Sequence, residues 1–133
     1  MPLLLGLLLP LLVGAYGTWM GLDRDRSFYP VIMIVIAALY ALFALLGGSG
    51  HALAVDAALG ALFILVVSVG FKHSLWWVVA ALAAHGLMEL FHSALVDNPG
   101  VPAWWPPFCS AYDLVAAGYL AVLIRKGRVS ARS

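Results

Sequence analysis

LWWVVAALAAHGLMELFHSAL, residues 75–95, carries no Lys or Arg and a single carboxylate. At 1.5 Å per residue, its roughly 21 residues are enough to cross a hydrocarbon core about 30 Å thick. Read as one helix, it places His85, Glu89 and His92 at i, i+4 and i+7, within a stripe of about 60° on an otherwise apolar surface. The run therefore predicts a membrane span with one polar edge, and it asks where the other spans lie and what that edge meets.

Four more runs of similar length flank it, at about residues 2–20, 30–46, 51–70 and 107–124. With the N-terminus outside, Arg24 and Arg26 fall in the first cytoplasmic loop, Lys72 in the second, and Arg125, Lys126, Arg128 and Arg132 in a tail over residues 125–133. All seven basic residues then share one side, as the positive-inside bias requires, and the reverse threading would export every one. Trp19, Trp76, Trp77, Trp104 and Trp105 all sit at ends of these runs, where an amphipathic ring suits the interface. The expectation is an all-α polytopic membrane protein: a compact bundle of five transmembrane helices, N-terminus outside and C-terminus cytoplasmic, integral to a cell membrane and by preference the plasma (inner) membrane.

Composition agrees, since 65% apolar and 10% charged residues leave too little polar surface for a water-soluble domain. The mean hydropathy is +1.04. Short loops and the lack of a polar linker make residues 1–133 a single domain. The first run has no basic residue ahead of it, so it reads as a retained helix rather than a cleaved signal peptide. Pro10 should bend it, and Gly17 with Gly21 makes a GxxxG spacing open to close helix approach.

The residues between the runs read as punctuation. Asp23, Arg24, Asp25 and Arg26 alternate in sign as a solvated loop would, with Ser27 placed to cap the second helix. Residues 47–50 and 97–100 form turns on the far side. Residues 101–107, with two Trp and three Pro, suit an extended segment anchored at the interface. His51 and His73 fall at opposite surfaces and read as solvated, with only His51 on the side where it could extend the site.

Charged groups in hydrocarbon cost at least about 2.5–3.5 kcal/mol unless paired, neutralised or facing a cavity. Asp56, Glu89 and Asp113 lie within the runs, with His85 and His92 at similar depth and no Lys or Arg beside them. Protonation, pairing with a histidinium or a divalent cation would each relieve that cost. A cation such as zinc or iron cancels two charges and accepts imidazole and carboxylate together, so His85, Glu89, His92, Asp113 and Asp56 are the candidate ligands. Without metal, Glu89 or Asp113 is the candidate acid and His92 its partner, which makes these three the candidate catalytic residues. Glu89 and His92 also have the Glu-x-x-His spacing of di-iron bundles, whose second copy would have to come from a homo-oligomer.

Cys109, the only cysteine, precedes Asp113 by one helical turn on the same face, which makes it a conceivable ligand or nucleophile, although it reads mainly as a small hydrophobe. Tyr112 and Tyr119 read as packing, and Tyr40 is the one strongly polar side chain of the second run. There is no nucleotide loop, nucleophile elbow, H-E-x-x-H motif or basic aromatic patch, so nucleic acid is not an expected partner. The leading functional expectation is a small integral membrane enzyme, metal-dependent or acid-base, acting on a lipophilic substrate within the lipid. The alternatives are a proton- or cation-coupled carrier, an accessory subunit of a membrane complex, or a structural partner whose polar edge holds helices together.

Overall fold

The computed structural model describes residues 1–132 and contains six α-helices: α1 (Pro2–Met20), α2 (Phe28–Gly47), α3 (Gly50–His73), α4 (Trp76–Glu89), α5 (His92–Leu95) and α6 (Trp105–Arg125). Ser133, the last residue of the expected tail, lies outside that range. No strand occurs among the described residues. α1, α2, α3 and α6 are long and apolar enough to cross a membrane. The fourth apolar run is divided instead: α4 has 14 residues and stops at Glu89, after which the chain turns through Leu90 and Phe91 into the four-residue α5.

The division has a local cause. Leu90 and Phe91 donate to the carbonyls of Leu87 and Met88, the tight i→i−3 pattern that closes a helix, and Phe91 leaves helical geometry at φ −112°, ψ −1°. A continued helix would have held His92 above His85. The turn swings it toward α3, where the buried Asp56 carboxylate has a donor to gain.

The helices pack in the order α2, α3, α4, α6, α1, so the first helix lies against the last. Apolar packing is centred on Met33 of α2, Val67 of α3, Val78 and Leu82 of α4, and Leu120 of α6, all fully buried. For helices apolar enough to cross a membrane such close fit matters, because lipid offers little hydrophobic drive for one helix to leave it for another. Small residues carry α1: Gly6, Pro10, Gly14 and Gly17 form its buried face. Gly21, expected to extend that stripe, ends α1 in a left-handed cap at φ 80° with open space around it.

The basic residues gather at one end of the bundle, with Trp19, Trp76 and Trp77, while Trp104 and Trp105 mark the other. At the basic end the sequence reading needs correction, because Asp23 is fully buried rather than solvated. The chain after α6 folds back beneath it. Arg128 Nε donates to Asp23 Oδ1 at 2.9 Å, its Nη2 donates to the Thr18 carbonyl, and the Thr18 hydroxyl donates to Asp23. Arg26 holds the same returning segment, donating to the carbonyls of Phe71, Ser130 and Ala131 at 2.7–3.0 Å. Residues 126–132 are therefore a docked strap rather than a free tail. Ser27 does not cap α2; its N–H and hydroxyl donate to Asp25, holding that carboxyl below the usual carboxylate range. The side-chain cap belongs to Ser49, which accepts from the Ala52 N–H at the start of α3.

At the opposite end, residues 96–100 clamp onto the C-terminus of α2, and residues 101–104 turn into α6 rather than running extended. Gly100 lies so close to α2 that an added Cβ would meet the Phe43 carbonyl oxygen at 1.7 Å. Gly100→Ala is accordingly expected to lower stability by about 2–3 kcal/mol, in the upper range for forced overpacking. Thermal unfolding in detergent micelles would measure it, and an unchanged midpoint would mean the clamp is absent.

Candidate metal centre

Gly86 decides how near α4 and α6 come. A Cβ there would lie 3.1 Å from Asp113 Cβ, from Leu114 Cγ and from the Ser110 carbonyl oxygen, and the Ser110 hydroxyl donates to the Gly86 carbonyl at 2.7 Å. That approach sets Asp113 directly against the residue before Gly86. His85 Nδ1 is 2.7 Å from Asp113 Oδ2 and 3.4 Å from Glu89 Oε1. One turn back on α6, Cys109 Sγ stands 3.9 Å from both Asp113 oxygens. One donor atom from each of His85, Glu89, Cys109 and Asp113 lies within 4.8 Å of every other, and all four residues are buried.

Aromatic rings wall the group. The Tyr40 hydroxyl donates to Glu89 Oε2, and the Phe63 ring meets the His85 imidazole edge-on, with centroids 4.9 Å apart. Glu89 Oε1 is sealed in the protein and makes no hydrogen bond, with His85 Nδ1 3.4 Å away as its ion-pair neighbour. A buried carboxylate oxygen left in that state costs stability, and it marks where a proton or cation belongs. Two carboxylates, an imidazole and a thiol suit a tetrahedral zinc site, and their nitrogen, oxygen and sulfur donors also suit iron.

His92 and Asp56, expected to share these ligands, form a second group with Asn98. His92 Nε2 is 2.7 Å from Asp56 Oδ1, and Asn98 Nδ2 donates to Asp56 Oδ2 at 2.8 Å and to the Tyr40 carbonyl at 3.0 Å. The reason is the helix break: with α4 ended at Glu89, His92 reaches α3 and leaves the stripe. Tyr40 stands between the groups, its hydroxyl on Glu89 and its ring stacked on His92 at 3.8 Å and 19°. The structure thus brings His85, Glu89 and Asp113 together, sets His92 and Asp56 beside them, and adds Cys109 as a fourth donor.

Three participants carry little signal in the sequence. The i, i+4 spacing of Cys109 and Asp113 signalled the shared face but not that α4 would lie against it. Tyr40 had only its isolation as a polar residue to single it out. Asn98 looked like a turn residue, which it is, since its Oδ1 accepts from the Gly100 N–H; its amide also serves Asp56. Nothing in the sequence pattern marks that second task. The chain matches no protein-family model, no curated protein and no solved structure.

Proposed function

We propose that this chain is a small integral membrane enzyme, N-terminus outside and C-terminus cytoplasmic, that uses a divalent metal held by His85, Glu89, Cys109 and Asp113 to act on a lipophilic substrate. The observation that carries the reading is the sealed Glu89 Oε1, which makes no hydrogen bond, within a buried set of four potential ligands. No basic residue occurs between Arg26 and Lys72 or between Lys72 and Arg125, so neither carboxylate has a Lys or Arg for neutralisation on the segments that build the site. With three of the four donors on the ion and one position left to substrate or water, a bound zinc or iron would supply Lewis acidity toward a carbonyl or phosphoryl oxygen, or a water of lowered pKa. The residues around it have definite tasks: Asp113 orients the His85 ring, Tyr40 fixes the Glu89 carboxyl, and Phe63 excludes water from the imidazole edge.

Elemental analysis of protein purified without chelators tests this directly. About one equivalent of zinc or iron is expected, and less than about a tenth of an equivalent would remove the metal reading, because buried imidazole, thiolate and carboxylate donors bind tightly at neutral pH.

The carrier reading gains one observation. Asp23 supplies a buried carboxylate at the basic end, joined through the Thr18 hydroxyl to Tyr119 at 2.8 Å. Ion flux in proteoliposomes that disappears in both Asp23→Asn and Asp113→Asn proteins would put that reading first.

A further inference from the structure

The Asp56 group reaches the surface at the end opposite the basic residues. A cavity of about 250 Å3 is lined there by His92, Ser93, Asp97, Asn98, Pro102 and Pro106, among others. His92 is only 2% exposed, yet it forms part of the wall. Its Nε2 is 2.7 Å from Asp56 Oδ1, and in the tautomer that donates Nε2–H to that carboxylate Nδ1 keeps its lone pair. Nδ1 has no hydrogen-bond partner among the described residues, and it is not one of the sealed, unpartnered atoms there, which are Glu89 Oε1 and Trp105 Nε1. It belongs to a residue of the cavity wall whose ring is held by Asp56, itself bonded to Asn98, and by the stacked ring of Tyr40.

Charge chooses the ligand. Asp97 is exposed on the rim, Asp56 lies behind the imidazole, and every Lys and Arg belongs to segments at the other end of the bundle. An anionic group would meet two carboxylates without a counter-charge, whereas a cation with N–H donors satisfies both the rim and the free lone pair. The remaining wall, Val96, Val101, Pro102, Ala103 and Pro106, is apolar and interfacial.

We propose that this cavity binds the ammonium head group of an amphiphilic amine, with an N–H donated to His92 Nδ1, the Asp97 carboxylate as counter-charge, and the alkyl chain lying over the apolar wall toward lipid. As an assignment of substrate class it rests on the enzymatic reading above; as a binding site it stands alone. Tyr40 touches both His92 and Glu89, so a head group seated here lies one side chain from the candidate metal ligands.

The test is a titration of micellar protein, 15N-labelled in its histidine rings, with n-dodecylamine and separately with dodecyl phosphate, the metal content of the same sample being measured. The amine is expected to move the His92 Nδ1 resonance saturably and more than that of His85, whereas dodecyl phosphate leaves it in place. Asp97→Asn, at an exposed position, should weaken the amine response about fivefold, the upper end for an exposed ion pair. No saturable shift with the amine, or equal shifts with amine and phosphate, overturns the site. Amine binding to metal-free protein supports the site while removing the metal reading; full metal content with no amine response overturns the site and leaves that reading standing.

Discussion

Arg128→Met is expected to destabilise the folded chain by about 3 kcal/mol, the loss typical when one partner of a buried ion pair is removed. Asp23 is completely buried and takes its hydrogen bonds from Arg128 and Thr18, so without the guanidinium a carboxylate remains sealed among apolar groups. The same substitution removes one of the two donors to the Thr18 carbonyl, leaving the Gly21 N–H, and takes away one tie of the strap formed by residues 126–132, which Arg26 and the Leu75 N–H still hold. Adding Asp23→Asn should recover most of the loss, because the amide still accepts from Thr18 and carries no charge to neutralise. Thermal unfolding of the single and double variants in micelles gives the comparison. A solvated Asp23 would behave as an exposed pair worth about 0–1 kcal/mol, so an unchanged midpoint in Arg128→Met would refute the buried pairing.

The second large effect is on metal affinity. His85→Ala and Asp113→Ala each remove a donor from the four-residue group and should weaken binding by more than about 100-fold, beyond the 10- to 100-fold cost of losing an outer partner. Tyr40→Phe removes only the hydroxyl that fixes Glu89, so its expected cost is about 10-fold, at the low end of that range. His92→Ala is the discriminating member, since its imidazole pairs with Asp56 rather than with the four donors. It should keep full occupancy. Competition with a chromophoric chelator would rank the variants; if His92→Ala lost metal as completely as His85→Ala, the two groups would be one site after all.

The contrast between His85 and His92 shows how far the sequence could be followed. Spacing placed both on one helical stripe with Glu89, and for His85 and Glu89 the stripe is real because they share α4. His92 obeys the same arithmetic only while the helix continues. Leu90 and Phe91 contain no Pro or Gly to announce a stop, and the turn is held by contacts that His92 makes with another helix. A break stabilised by its own tertiary consequences leaves no local signature. Asp23 is the converse case: its alternating-charge neighbourhood is what a solvated loop looks like, and burial comes from an arginine 105 positions later.

By itself, the sequence determined four of the five helical runs, the segregation of every basic residue to one end, the Trp-marked helix ends and the presence of carboxylates and histidines inside apolar segments. These follow from hydropathy and periodicity, properties of one segment at a time. Only the tertiary structure decided which of those groups meet: Gly86 lets α6 bring Asp113 and Cys109 onto His85 and Glu89, the turn after Glu89 gives His92 to Asp56, and the returning strap covers Asp23. Buried polar groups satisfy themselves through whichever partners the packing puts within about 3 Å. Partner choice is therefore a property of several helices at once, and no single run of residues contains it.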